Sequence, residues 1–315
     1  MKKRLLLICP KFMGYEKQLI KELKKQFVVN YLDNEIILKD IRKSYYAMSK
    51  IKKLIFKVIP MLRNYYRNNK LKSKEAIVKN YIDMKYDYII CVNGDGFSDN
   101  FYKELFNNQE QAEKIIYLWD DYNWLFKNKH INLFDKKFSF NIDDCKKQKC
   151  YYLPMFTKNL GVEEIDKIYD ICLIASANDQ RISLMKKIYE KYNDKYKFYI
   201  YFYSKKDYDF FCYDKPLSDT EYISILSKSK VVIDCYRGNQ KGPTTRVYDS
   251  IITETKIIST NKLLTKYPVY NENVLIIDDK LIIPENFIYS KYIKTNISSI
   301  MLNQWVKHLI TKKCD

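Results

Sequence analysis

The sequence predicts an α/β protein of two domains, each built around a parallel β-sheet covered by helices, and three observations lead there. Its strand candidates, such as RLLLIC, YDYIICV and KVVID, are unbroken apolar runs, as strands buried on both faces require. Segments with helical spacing separate those runs. The pattern then starts afresh after the charged stretch Thr157–Lys167, and 315 residues suffice for two domains of ordinary size.

In the first half, Arg4–Cys9 is a strand, and Gly14–Lys25 is a helix with Leu19, Ile20 and Leu23 on its apolar side. Phe27–Leu32 is a short strand, followed by a basic helical region to about Asn80. Tyr86–Val92 is a strand that ends in the turn-forming Asn93-Gly94-Asp95-Gly96, and a helix follows near Asp99–Phe106. Lys114–Trp119 is a strand closed by Asp120 and Asp121, and Lys137–Phe140 and Cys150–Leu153 are short strands before Pro154. In the second half, Asp170–Ala175 and Phe198–Tyr203 are strands, and Asp179–Tyr192 and Asp219–Lys228 are helices. Val274–Asp278 is a further strand, and Ile297–Ile310 is an amphipathic helix through Ile300, Met301, Trp305 and Leu309. The expected division is 1–156, a linker at 157–168, 169–296 and the terminal helix 297–315. Ligands are expected in a cleft between the halves, because open parallel sheets bind them beyond the carboxyl ends of their strands.

Lys230–Asn261 holds the clearest chemical pattern: an apolar strand, a polar loop, a helix opening on Thr244 and Thr245, and a second strand. A helix start attracts anions through its unpaired N–H groups and dipole. Arg246 lies in the first turn, and Asp249 follows three residues later on the same face, spaced to meet ribose hydroxyls. Only seven of the 56 basic residues are Arg, so a forked guanidinium here stands out against a Lys background. The plainer alternative is a strand–helix–strand whose Arg pairs with a neighbouring acid.

Composition excludes several classes. Hydrophobic content of 47% argues against wholesale disorder, and no apolar run approaches the ~20 residues of a membrane span. MKKRLLLICP reads as a first strand, since charge returns at Lys11. Eight scattered cysteines and two distant histidines suggest reduced thiols in a cytosol and no structural metal site. The net charge of +18 is concentrated: residues 42–74 hold eleven basic residues and no acidic one, interleaved with aromatic and aliphatic side chains. That mixture suits an anionic membrane surface, the alternative being a solvated helix pair. No helix-turn-helix, zinc-finger or RNP-like pattern supports a nucleic-acid partner.

Several stretches together carry a family resemblance: YDYIICVNGDGFS, KIIYLWDD, FDKKFSFNIDDCKKQKCYYLPMF, YDICLIASANDQRISLMKKI and, most specifically, QKGPTTRVYD. In that order they resemble bacterial glycosyltransferases of surface-polysaccharide assembly (capsule and lipopolysaccharide type), of the two-Rossmann-domain GT-B architecture. The resemblance implies hexosyl-type transfer from a nucleotide-sugar donor to a glycan or lipid-linked acceptor, at the inner face of the membrane and without a metal or other cofactor. The donor would meet Gln240, Gly242, Thr244, Thr245, Arg246 and Asp249, with Arg181 behind the first strand of the second half. Three departures stand out: Gly242-Pro243-Thr244 replaces the family's Gly-Leu-Thr, Asp249 replaces Glu, and Ala175-Ser176-Ala177 replaces a Gly-containing loop. An inverting transferase needs a base near the acceptor hydroxyl, and Asp120, then Asp95, are the candidates at strand ends. Asp207-Tyr208-Asp209 matches the D-x-D pattern of metal-dependent transferases, which keeps a second mechanism open, as does a non-catalytic sugar-nucleotide or nucleic-acid binder.

Overall fold

The computed structural model describes the chain except residues 1, 36–42, 44–46, 64, 67–68, 70–77, 123–124, 126–128, 158–164, 207, 236–240 and 313–315. It divides into two units, Met1–Leu153 with Val306–Asp315, and Pro154–Trp305. Each contains one six-stranded sheet, and every strand pairing is parallel.

The first sheet runs in the order β2-β1-β3-β4-β5-β6, from β1 (Arg4–Ile8), β2 (Val28–Leu32), β3 (Tyr88–Val92), β4 (Glu113–Leu118), β5 (Lys136–Ser139) and β6 (Tyr151–Tyr152). Leu5, Leu6, Leu7 and Ile8 are wholly buried, as the unbroken apolar run demands of a strand covered on both faces. Each such side chain contributes about 1.5–3 kcal/mol on burial. The Tyr15–Leu23 helix starts at Gly14, whose φ of 77° is the left-handed conformation glycine adopts without strain. Tyr15, Glu16, Leu19 and Leu23 are its buried residues. Strand order reverses between β1 and β3, the place where open sheets of this kind bind ligands.

The second sheet runs β12-β11-β10-β7-β8-β9, from β7 (Tyr169–Ser176), β8 (Phe198–Tyr203), β9 (Cys212–Tyr213), β10 (Ser229–Asp234), β11 (Lys256–Ser259) and β12 (Val274–Ile276). Its reversal lies between β7 and β10. The helices that follow those two strands are Asp179–Tyr192 and Thr245–Ile252. Asn178 caps the first by accepting from the Arg181 backbone N–H, and a Ser218–Glu221 capping box starts Asp219–Ser227. β9 was not foreseen: it is two residues long, reached through Asp209 and Phe211 at φ of 49° and 45°.

The C-terminal helix is shorter than its periodicity suggests. A 3-10 turn covers Ser298–Ile300, Met301 is extended, and the α-helix is Leu302–Thr311. Leu302, Trp305, Val306 and Leu309 are buried, so the apolar stripe passes through Leu302 and Val306 in place of Met301. From Val306 onward the chain belongs to the first unit. There Lys136 Nζ pairs with Glu113 at 2.6 Å and donates to the Ile310 carbonyl at 2.7 Å, a cation at the helix C-terminus.

Candidate active site

At the carboxyl edge of the first sheet, β3 ends in a strained turn. Asn93, Gly94 and Gly96 take φ of 61°, 74° and 100°. The glycines are sterically required: a Cβ on Gly94 would lie 2.8 Å from His130 Nε2, and one on Gly96 would lie 2.7 Å from the Asn34 carbonyl. The left-handed Asn93 turns its amide toward β4. Its Oδ1 accepts from the Trp119 and Asp120 backbone N–H groups at 2.9 and 3.3 Å, and its Nδ2 donates to Asp120 Oδ2 at 2.7 Å. One side chain therefore fixes both the backbone and the carboxylate of Asp120.

Burial pushes the Asp120 carboxyl up to about 6, although the Asn93 hydrogen bond pulls the other way; Asp95 and Asp121 raise it further. Asp95 follows in the same turn, where Asn34 Nδ2 donates to its carbonyl at 2.6 Å and stands 3.5 Å from Oδ1. The two candidate bases thus share one edge of the sheet, with Asp95 close enough to raise the Asp120 carboxyl. Trp119 precedes Asp120, and its ring lies 5.6 Å from that of the 39% exposed Phe12. His130, which sequence reasoning left without a role, is buried and pairs through Nδ1 with Asp99 at 2.9 Å, stacked on Tyr102 at 4.2 Å. Burial lowers its pKa against the pull of Asp99.

The second sheet brings Arg181 and the Thr244–Asp249 segment to the β7–β10 reversal. Arg246 is 9% exposed, donates Nη1 to Asp234 Oδ1 at 2.7 Å, and gives Nε and Nη2 to the Ile174 carbonyl at 3.1 and 2.6 Å. This is the ion pair of the plainer sequence alternative: a buried Arg needs a counter-charge, and Asp234, 2% exposed at the end of β10, supplies it. Burial opposes the charge on Arg246, and Asp234 together with Tyr222 and Cys235 more than offsets it, leaving the pKa raised.

Thr244 occupies the N-cap position, but its hydroxyl donates to Asp234 Oδ1 at 2.7 Å, so the helix start has no side-chain cap. Ser259 Oγ adds a 3.3 Å bond to Asp234 Oδ2. Asp249 lies on the buried side of the same helix. It is wholly buried, hydrogen-bonded to the Tyr222 hydroxyl, whose pKa burial and then this carboxylate raise. Gly242 is buried, and Thr245 is half-buried. Arg181 is 7% exposed and gives Nη1 to the Ser176 carbonyl at 3.1 Å, holding the end of β7, which extends through Ala175 and Ser176. Gln240 and Asp207 of the D-x-D pattern lie outside the described residues. Among the described residues no three His, Cys, Asp or Glu side chains converge as a metal site.

These two sheets define a class: the chain has the GT-B fold, two Rossmann-like domains with all-parallel sheets. Among solved structures it is similar to the N-terminal domain of trehalose-6-phosphate phosphatase from Candida albicans, with a TM-score of 0.58 at 9% identity over 99% of this chain and 97% of that one. It is likewise similar to apo OtsA, with a TM-score of 0.55 at 8% identity over 98% and 92%. No protein-family model matches the chain, and no curated protein matches its sequence.

Proposed function

We propose that the protein is a glycosyltransferase that moves a sugar, of hexosyl type, from a nucleotide-sugar donor to a hydroxyl of a glycan or lipid-linked acceptor in surface-polysaccharide assembly. The observation that carries this reading is Asp120: a half-buried carboxylate at a strand end of the first sheet, held by Asn93, with its ionisation brought up to about 6. That value suits a general base working near neutral pH, since it is ionised yet more basic than an ordinary carboxylate. The neighbouring Trp119 and Phe12 rings supply apolar faces of the kind on which sugars stack.

In this mechanism Asp120 accepts the proton of the acceptor hydroxyl as its oxygen bonds to the sugar's anomeric carbon. The bond from that carbon to the donor diphosphate breaks, and negative charge grows on the leaving group. Within the second unit, the start of the Thr245–Ile252 helix, which has no side-chain cap, is the donor-side candidate to stabilise such a charge with N–H groups and the positive end of its dipole. Arg246 acts one step back, holding Asp234, Thr244 and the end of β7 in place. A metal-independent reaction is part of the proposal.

The test is a thermal-shift screen of UDP-, GDP-, CMP- and dTDP-sugars with chelator present, followed by transfer assays. A donor that raises Tm supports the reading. Asp120→Asn is expected to keep that shift and to lose transfer by at least ~10²-fold. The absence of any shift defeats the donor assignment, and undiminished transfer by the variant defeats the role of Asp120. Donor binding with no transfer by the native chain would select the non-catalytic alternative.

A further inference from the structure

We propose that the Lys50–Val58 helix inserts its apolar side into an anionic lipid surface and so docks the protein on a membrane. Ile51, Leu54, Ile55 and Val58 recur at helical spacing and form one stripe, with exposures of 72%, 62%, 41% and 71%. No residue of this helix is buried. Its half-buried residues are Lys53 and Phe56, on the side away from the stripe, and the Phe56 ring lies 5.6 Å from that of Tyr66. The helix therefore turns to solvent the side that a surface helix of a soluble protein normally turns inward. Met61 and Leu62, 79% and 43% exposed, continue the apolar surface beyond it. Scattered exposed apolar residues are ordinary, but a contiguous patch marks an interaction site.

Charge selects the occupant. Lys50, Lys52 and Lys57 are exposed and flank the stripe, placed to lie along the boundary while their ammonium groups reach phosphate headgroups. Protein interfaces, by contrast, are depleted of Lys at their cores. Between residues 42 and 74 the sequence has no acidic residue to repel an anionic surface. Residues 42, 44–46, 64, 67–68 and 70–74 of that basic region lie outside the described residues, so the proposal rests on the helix and its immediate continuation. It does not depend on the transferase reading.

Co-sedimentation of the full chain with phosphatidylcholine vesicles, with and without phosphatidylglycerol, tests it without any sugar donor. Binding is expected only where the anionic lipid is present and is expected to weaken with salt. Replacing Lys50, Lys52 and Lys57 by Gln should reduce partitioning roughly a hundredfold. Leu54→Glu should reduce it about tenfold or more, because an inserted leucine is lost and a charge repelled by the surface is gained, with Tm unchanged because the side chain is exposed. Equal binding to neutral vesicles, or undiminished binding by both variants, overturns the proposal. So does a concentration-dependent dimer that Leu54→Glu dissolves in the absence of vesicle binding, which would make a second copy of the chain the occupant.

Discussion

Arg246 shows what a residue-scale pattern conveys and what it leaves out. Its scarcity as a guanidinium and its position in a first helical turn both signalled a special role, and the residue is special. What the local pattern left open was the partner: the neighbouring acid is Asp234, twelve positions earlier at the end of β10, which the fold delivers to 2.7 Å. Asp249 follows by geometry, because a spacing of three places it on the same inward face. The pair is buried, so Arg246→Ala strands the Asp234 carboxylate and should cost about 3–5 kcal/mol, read from urea denaturation. Adding Asp234→Asn should recover part of that loss, giving a double-mutant cycle far from additive. Asp120 gives a pH-dependent counterpart. Its carboxyl is raised from 3.8 to about 6 by burial, so the folded state holds the proton more tightly than the unfolded chain does. The resulting destabilisation is absent below pH 4, grows between pH 4 and 6, and reaches about 3 kcal/mol above that. Asp120→Asn should therefore melt higher than the native chain at pH 8 and alike below pH 4.

At the scale of elements, most strands were legible because a parallel sheet covered on both faces writes itself as continuous apolar runs. Arg4–Ile8, Tyr88–Val92 and Ser229–Asp234 are such cases, each close to its expected span. β9 escaped because two residues carry no period, and its pairing with β8 depends on backbone turns at Asp209 and Phe211. The terminal helix was misphased for another reason. Ile300 is buried as expected, but it sits on a separate 3-10 turn, and the extended Met301 resets the rotation before Leu302. Apolar spacing counts residues and does not register such a break. The carboxyl-edge turn after β3 was visible as Asn93-Gly94-Asp95-Gly96. The function of Asn93 was not, because it depends on β4 lying alongside.

For the molecule as a whole, alternation of strands and helices announced two parallel-sheet domains, and both are present. The allocation of the last residues was not announced, since nothing in their amphipathic spacing says which unit they cover. Trp305, Val306 and Leu309 are at most 1% exposed, and Trp305 Nε1 donates to the Pro154 carbonyl at 2.9 Å. A chain ending at residue 301 loses all three, together worth roughly 5–9 kcal/mol of apolar burial, comparable to the net stability of a whole domain. Such a truncation should express as insoluble protein, whereas Lys307→Ala, at an exposed position of the same helix, should melt like the native chain.

That allocation bears on biosynthesis. The first unit leaves the ribosome early but lacks residues 306–315 until everything between has been translated. At the usual ~5–20 residues per second, the intervening polypeptide takes roughly 8–30 s to emerge. Throughout that interval the nascent sheet lacks the helix whose His308 later meets the ring of Phe138 at 6.1 Å, so that flank is the last part of the first unit to be covered.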